Sequence, residues 1–549
     1  MASKFVTLAM PPGVLRMGTA YASKGRWYDS SLIRWVGSVV RPIGGWSLAR
    51  TAAGGDIQAT GKPRASHTWR KNDSTTWAAT GTTGTPSKLY VYSNGVITDI
   101  TPAGLTNGAA DGMLITGSGR WGIDPWSVSP WGGSVAAGTI QDAATWSLDS
   151  FGEILIACLT ADGKLYESTP TTQATQITNS PTGCRAVCVT AERFVFALGT
   201  AGDPRNVAWC SQSNRILWAP AASNSAGSFP LQTGGRLMAG HATPRETLLW
   251  TDADLWAAQY IGGPLVYAFQ PRGDHCGLIG PNAVAITGGT AYWMSSGQFF
   301  SYDGTVRQLQ CDVLDYVFSD LNRAQKAKIH ALTISQHGEV WWFYPSQSQT
   351  GSENDRAVTL NYRTGEWTLH RLARSAGSDA DVFNSPLMWS TDGHLYSHET
   401  GNDRGGASAY LESGPLEIGD GDRVMQVQEI IPDEAISGSV TATLYSAFEP
   451  QGQEAATGPF VLSKYILADG SVFSGDITQL TGPFTLQRRT DVRVTARQLR
   501  IRLAEPVSSG AIWDGTYTFN GAITYAGTRA GVDFRIGTFR LGVVAGGRR

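Results

Sequence analysis

At 549 residues the chain is too long for a single hydrophobic core, so two or more domains are expected. With 65 Gly, 19 Trp, 18 Tyr and 18 Phe but only 16% charged residues, it is rich in turns and aromatics, which suits many short strands packed face to face. The formal net charge of −2 excludes a globally basic nucleic-acid coat.

No stretch of 18 apolar residues runs uninterrupted, and the opening Met1 to Pro11 lacks a signal peptide's extended apolar core. Synthesis in a cytoplasm without membrane insertion is the expectation. Residues 1–50 read as an extended arm with spaced aromatics, among them Trp27, Tyr28, Trp35 and Trp46. Such arms lie across another subunit or close a propeller ring.

From 51 to 400 one phrase recurs: an apolar or Trp-ended strand, a small turn centred on Ser/Thr-Asp-Gly, then Leu or Phe followed by an aromatic. It runs over Leu155 to Tyr166, Leu248 to Trp256, Ala291 to Phe300 and Leu387 to Tyr396, with looser versions at Thr76 to Tyr90, Phe194 to Trp209 and Val340 to Tyr362. Turn to turn, Gly163 to Gly202 is 39 residues, Gly202 to Ala253 is 51 and Ala253 to Gly297 is 44. A period of this size with several short strands per unit predicts a β-propeller of about six to eight blades, against an ordinary all-β sandwich of hairpins.

A long insertion at 105–145 interrupts the repeat and carries Trp121, Trp126 and Trp131 among glycines and prolines. A loop of this length inside a compact domain is functional or makes contacts. Its tryptophans are either a sugar platform or a plug packed on a neighbour; the lack of an adjacent carboxylate pair favours packing. Helical spacing of Val313, Leu314, Val317 and Leu321 predicts one helix over 311–329. The six cysteines are scattered without ligand spacing and read as buried free thiols.

Residues 401–549 form a second β domain, a sandwich or barrel-like unit. Its alternation from Val492 to Leu503 slips at Gln498, which predicts a β-bulge. Arg488, Arg489, Arg493, Arg497, Arg500 and Arg502 are the strongest local charge signal. They suit either a phosphate-facing stripe or ion pairing with Glu412, Glu417, Asp420, Asp422, Glu429, Asp433 and Glu434, in the same domain or in an adjoining copy, and the comparable number of acids favours the interface.

Ser390-Thr-Asp-Gly-His misses the spacing of a sialidase turn, and His394 and His398 share a strand face without a visible third ligand. No phosphate loop, dinucleotide fingerprint or nucleophile elbow stands out, so no catalytic, cofactor or metal residue is expected.

Three stretches resemble the tail nozzle or hub proteins of short-tailed bacteriophages, including the packaged-DNA stabilisation proteins. They are the arm with Gly18-Thr-Ala-Tyr, Gly25-Arg-Trp-Tyr and Arg41-Pro-Ile-Gly-Gly-Trp46; the segment from Val207 to Leu231; and the run from Asp315 through Glu339-Val-Trp-Trp-Phe-Tyr to Trp367. The resemblance implies a virion tail protein assembled in the host cytoplasm as a homo-oligomer, usually of six copies, below a portal and an adaptor or connector ring. It implies tail fibre or needle proteins as further partners, and packaged double-stranded DNA held without sequence specificity and passed on ejection. The insertion and the arm then become candidates for gate and inter-subunit contacts. The alternative expectation is a tail propeller that binds or depolymerises host polysaccharide through Trp121, Trp126 or Trp131.

Overall fold

A computed structural model describes residues 4–115, 139–263, 265–417, 423–437, 440–450, 452–462, 464–468, 472–473, 483–505, 517–519, 523–525 and 533–545. Seven four-stranded antiparallel sheets follow one another among them, at 62–99, 146–176, 186–230, 237–273, 284–308, 330–370 and 376–398. Each hairpin of the sequence repeat supplies the second and third strands of one sheet, as at 154–159 with 165–168 and 387–389 with 395–398. First strands of neighbouring sheets pack side by side around a ring, so the sheets are the blades of a propeller, numbered 1 to 7 here.

The aromatic repeat explains why the blades stack. Trp146, Trp250, Trp293, Trp341, Trp342 and Trp389 are all fully buried at or beside blade seams. Burying each such side chain contributes about 2–3 kcal/mol. At the seam between blades 1 and 2, Trp146 donates its indole N–H to the Thr82 carbonyl at 2.9 Å. The same ring lies so close to Gly81 that a Cβ there would fall 2.2 Å from it, so no larger residue fits.

The arm is divided between two tasks. Its strand β5 (Trp46–Leu48) pairs with 395–398 and becomes the fourth strand of blade 7, tying the start of the ring to its end. The strands before it, β1 (Lys4–Leu8), β2 (Trp27–Ser31), β3 (Ile33–Val36) and β4 (Val39–Pro42), lie in the second domain. One sheet of that domain runs β3, β4, 533–545, 425–437 and 490–496, with β1 beside 533–545. The other runs β2, 410–413, 498–504, 440–447 and 455–462. Their inner faces bury Val427, Val494, Phe539 and Leu541 from one sheet and Leu444, Leu499 and Ile501 from the other in a common core, a β-sandwich.

Two local expectations are corrected. The helix predicted over 311–329 is a seven-residue helix, α1 (Leu314–Asp320), followed by a 3-10 turn at Arg323–Lys328. Asn322 interrupts the helix because its side chain accepts from the Ala324 N–H and caps the second segment. The slip at Gln498 is not a bulge. Residues 490–496 belong to one sheet and 498–504 to the other, so the chain changes layer at Arg497 and the side-chain parity resets.

Candidate functional site

The arm meets the propeller through charge buried at blades 6 and 7. Arg34 on β3 reaches Glu339 with Nε at 2.8 Å and Nη2 at 3.0 Å, and Glu399 with Nη1 at 2.8 Å and Nη2 at 2.7 Å. Both carboxylates are therefore gripped by two donors, the geometry for which guanidinium is suited. Burial opposes the charge on Arg34, but Glu339 and Glu399 outweigh it and hold the guanidinium well above its usual range. Burial likewise opposes ionisation of Glu399, yet His337 and Arg34 hold its carboxyl far below the ordinary value. Glu399 also accepts the Gly44 N–H at 3.0 Å, fixing the chain just before β5.

Hydrogen bonds extend this junction along β2. Ser30 Oγ donates to the Leu369 carbonyl, and the Leu32 N–H donates to His370 Nδ1, both at 3.0 Å. Beyond them Arg16 pairs with Asp29 at 3.1 Å and stacks over Tyr316 of α1 at 3.8 Å. The cavity lined by Asp29, Tyr316, Tyr344, Arg356 and Arg371 measures about 10 Å³, as does the one between Arg34, Glu339 and Glu366. Each has room for a single water and not for a substrate.

A second charged cluster lies where the insertion leaves the ring. Arg64 of blade 1 holds Glu353 at 2.6 Å, and Lys328 holds Asp111 at 2.6 Å and Glu353 at 3.1 Å. Gln325 exchanges two hydrogen bonds with the backbone of Gly112, at 2.9 and 2.7 Å. The returning limb is held by Asp142 to Arg236 of blade 4, at 2.5 Å. Between these anchors, 113–115 pairs with 139–141. The insertion's base thus spans several blades, while Trp121, Trp126 and Trp131 lie outside the described residues.

The innermost strands also bring His67, Asp149 and His241, from blades 1, 2 and 4, within electrostatic reach of one another. Burial keeps both imidazoles below their usual pKa, with Asp149 opposing it. Asp149 is already engaged, accepting the Ser150 and Val189 N–H groups at 2.7 Å each. Among the described residues no group of three His, Cys, Asp or Glu is placed to hold a metal ion. His398 accepts from Arg374 Nε at 2.9 Å, and His394 faces Asp392 at 3.0 Å, so the two histidines four apart are engaged separately.

The arginine series does not form one stripe, because the sheet change at Arg497 splits it. Arg500 pairs with Glu412 and Glu454, and Arg502 with Glu412, on the sheet containing 498–504. Arg489 reaches Glu429 at 2.6 Å and Asp491 at 3.3 Å beside the other sheet. Arg488 and Arg493 are exposed and Arg497 is half-buried. Asp420 and Asp422 lie outside the described residues. All six cysteines are buried free thiols.

In the sequence Glu339 stands out only as part of the run from 315 to 367, and neither Glu399 nor Arg34 carries a local signal. Arg34 lies 305 residues from Glu339 and 365 from Glu399, and no local pattern links them.

These features define an all-β propeller protein with an appended sandwich. No family model matches the sequence, and no curated protein does. Solved structures with similarity include a catalytically inactive virginiamycin B lyase from Staphylococcus aureus with quinupristin, at 9% identity over 62% of this chain and 97% of that one, with a TM-score of 0.37. BamB from Moraxella catarrhalis is 11% identical over 72% of this chain and 97% of its own, with a TM-score of 0.35. A fungal alcohol oxidase of the AA5 family, in complex with copper, is 11% identical over 90% and 93%, with a TM-score of 0.33. At such values they carry no argument about chemistry, and the propeller rests on the chain's own sheets.

Proposed function

We propose that the chain is a structural virion protein, a tail nozzle below the portal and adaptor that retains packaged DNA and conducts it on ejection, without catalysis. The observation that carries this reading is where the resemblance motifs go. The arm motif and the run from 315 to 367 meet at one junction, through Arg16 on Tyr316, Arg34 on Glu339 and the Val14 N–H on the Trp367 carbonyl at 2.9 Å. Two of the three resembling stretches thus spend residues on locking a propeller to a sandwich, which suits a part that bears load.

Net charge supports the same reading. A strongly basic wall would bind the passing duplex through many phosphates and release counterions at each, slowing transit; a net charge of −2 avoids this. The test is mutational and virological. Virions carrying Arg34→Ala and Glu339→Ala together are expected to lose packaged DNA or fail to join tail to head, scored by particle DNA content. Normal DNA content and infectivity, or polysaccharide cleavage by the purified protein, would refute the reading.

A further inference from the structure

Two carboxylates stand side by side where the sandwich meets blade 6. Asp29 on β2 is the strand partner of Glu412 in 410–413, and Glu412 is the strand partner of Arg502 in 498–504, so the three side chains share one face of the sheet. Tyr410, two residues before Glu412, lies on that face as well. Like charges directly opposite each other destabilise a strand pair, so the face calls for cations. Four arginines collect there: Arg16, Arg371, Arg500 and Arg502.

The acids are nearly spent, and two of the arginines are not. Asp29 accepts the Ser30 N–H at 3.0 Å and the Tyr410 hydroxyl at 3.1 Å and pairs with Arg16 at 3.1 Å, which leaves Arg371 farther off at 3.5 Å. Glu412 is taken by Arg500, and Arg502 reaches it only at 3.4 Å. Asp29 and Glu412 are each 8% exposed, whereas the side chains of Arg371 and Arg502 are 52% and 32% exposed. Water therefore meets these two guanidinium groups before it meets the carboxylates.

The ring of Tyr410 orients both cations. Arg502 lies 3.9 Å and Arg371 5.4 Å from its centroid, so their guanidinium carbons are no more than about 9 Å apart. Stacking holds a guanidinium by its flat face and leaves the in-plane N–H groups free to grip an oxyanion with two parallel bonds. A phosphate gripped from two sides, with N···O bonds of about 2.8 Å, sets the guanidinium carbons roughly 8 Å apart. We propose that Arg371 and Arg502, set around Tyr410, form a binding site for a phosphate group. Arg16 and Arg500 serve it by engaging the carboxylates that would otherwise repel the ligand. A free phosphate ion and the phosphodiester of a nucleic acid share this chemistry. Assigning the phosphate to DNA passing through the tail rests on the nozzle reading, whereas the site itself does not.

The test is calorimetric titration of the full-length protein at constant ionic strength, with inorganic phosphate and, separately, with a short DNA duplex. Inorganic phosphate is expected to bind the wild type, and Arg371→Gln and Arg502→Gln are each expected to weaken it about tenfold, the worth of one charge-assisted hydrogen bond. Arg371→Lys keeps the charge but loses the fork, so its affinity should fall between those of wild type and Arg371→Gln. Arg205→Gln, which removes an exposed arginine paired with Asp203 on blade 3, controls for net charge and should bind phosphate as the wild type does. Arg371 is the most exposed of the four arginines, so its variants are expected to keep the wild-type melting temperature, and they decide the matter should Arg502→Gln fail to fold. Duplex affinity lowered about tenfold by the same substitutions assigns the phosphate to nucleic acid. Duplex binding that is absent, or unchanged while phosphate binding is lost, assigns it to the free ion and leaves the nozzle reading to particle DNA content. A wild type that takes up no phosphate, Arg371→Gln that binds it as tightly as wild type, or an equal loss in Arg205→Gln overturns the site.

Discussion

Arg34 shows how one side chain can hold two domains. Its guanidinium is 7% exposed and faces two carboxylates, so truncation would strand Glu339 and Glu399 without their main counter-charge. Removing one member of a buried ion group costs about 3–5 kcal/mol. Arg34→Ala is therefore expected to lower the urea midpoint of the full chain markedly, and a midpoint within error of wild type would contradict this account.

Three buried histidines sit at the same seams as neutral acceptors. His330 Nε2 lies 2.9 Å from the Gly377 N–H, His370 Nδ1 takes the Leu32 N–H, and His398 Nε2 takes the Arg374 Nε–H. Burial holds His330 down to about 4, and burial together with Arg34 holds His370 to about 3. Because the unfolded chain binds these protons near pH 6.5 and the folded chain does not, stability is full above that value and falls as pH drops toward 4 and then 3. His330 alone accounts for about 3 kcal/mol of this loss. Denaturation at pH 7 and pH 4.5 should show the decline, and His330→Gln, which cannot take up the proton, should make it shallower.

Among the elements, β5 has the greatest leverage for its length. Three residues, Trp46 to Leu48, complete blade 7, and Trp46 stacks on His398 at 5.2 Å with Arg374 over its ring. Deleting residues 1–48 removes that strand and also β1 to β4 from both sandwich sheets. The expected outcome is loss of the cooperative melt of both domains; a truncated chain with a near-native melting profile would show that the ring closes without the arm. The blades themselves were readable in sequence because each hairpin is local: turn chemistry and aromatic spacing lie within about a dozen residues. The arm's pairing was not, since β1 meets 533–545 across almost the whole chain. The layer change at Arg497 looked like a bulge because both events shift side-chain parity by one, and only the partner strands tell them apart.

For the molecule as a whole, charge is compensated locally. The cluster at the base of the insertion balances Arg64 and Lys328 against Asp111 and Glu353, and the arginines at 500 and 502 are met by Glu412 and Glu454. Duplex DNA is accordingly expected to bind the purified protein no more tightly than a typical non-specific Kd of about 10⁻⁴–10⁻⁶ M near physiological salt. A gel-shift assay giving nanomolar retention would contradict this local compensation. The insertion shows the limit of reading from sequence at this scale: nothing local marks its anchors Asp111 and Asp142, whose partners Lys328 and Arg236 come from far along the chain.

The pairing of β1 with 533–545 has a temporal consequence. A nascent chain exposes β1, β3 and β4 before any blade, yet the strand that receives them, 533–545, is translated after all seven. The seventh blade can accept β5 earlier, once 395–398 is out, but the sandwich must wait until 533–545 has emerged. Docking of the leading strands thus follows synthesis of the whole disc, and a product terminated before 533 would retain that disc with β1 and β4 lacking the strand that receives them.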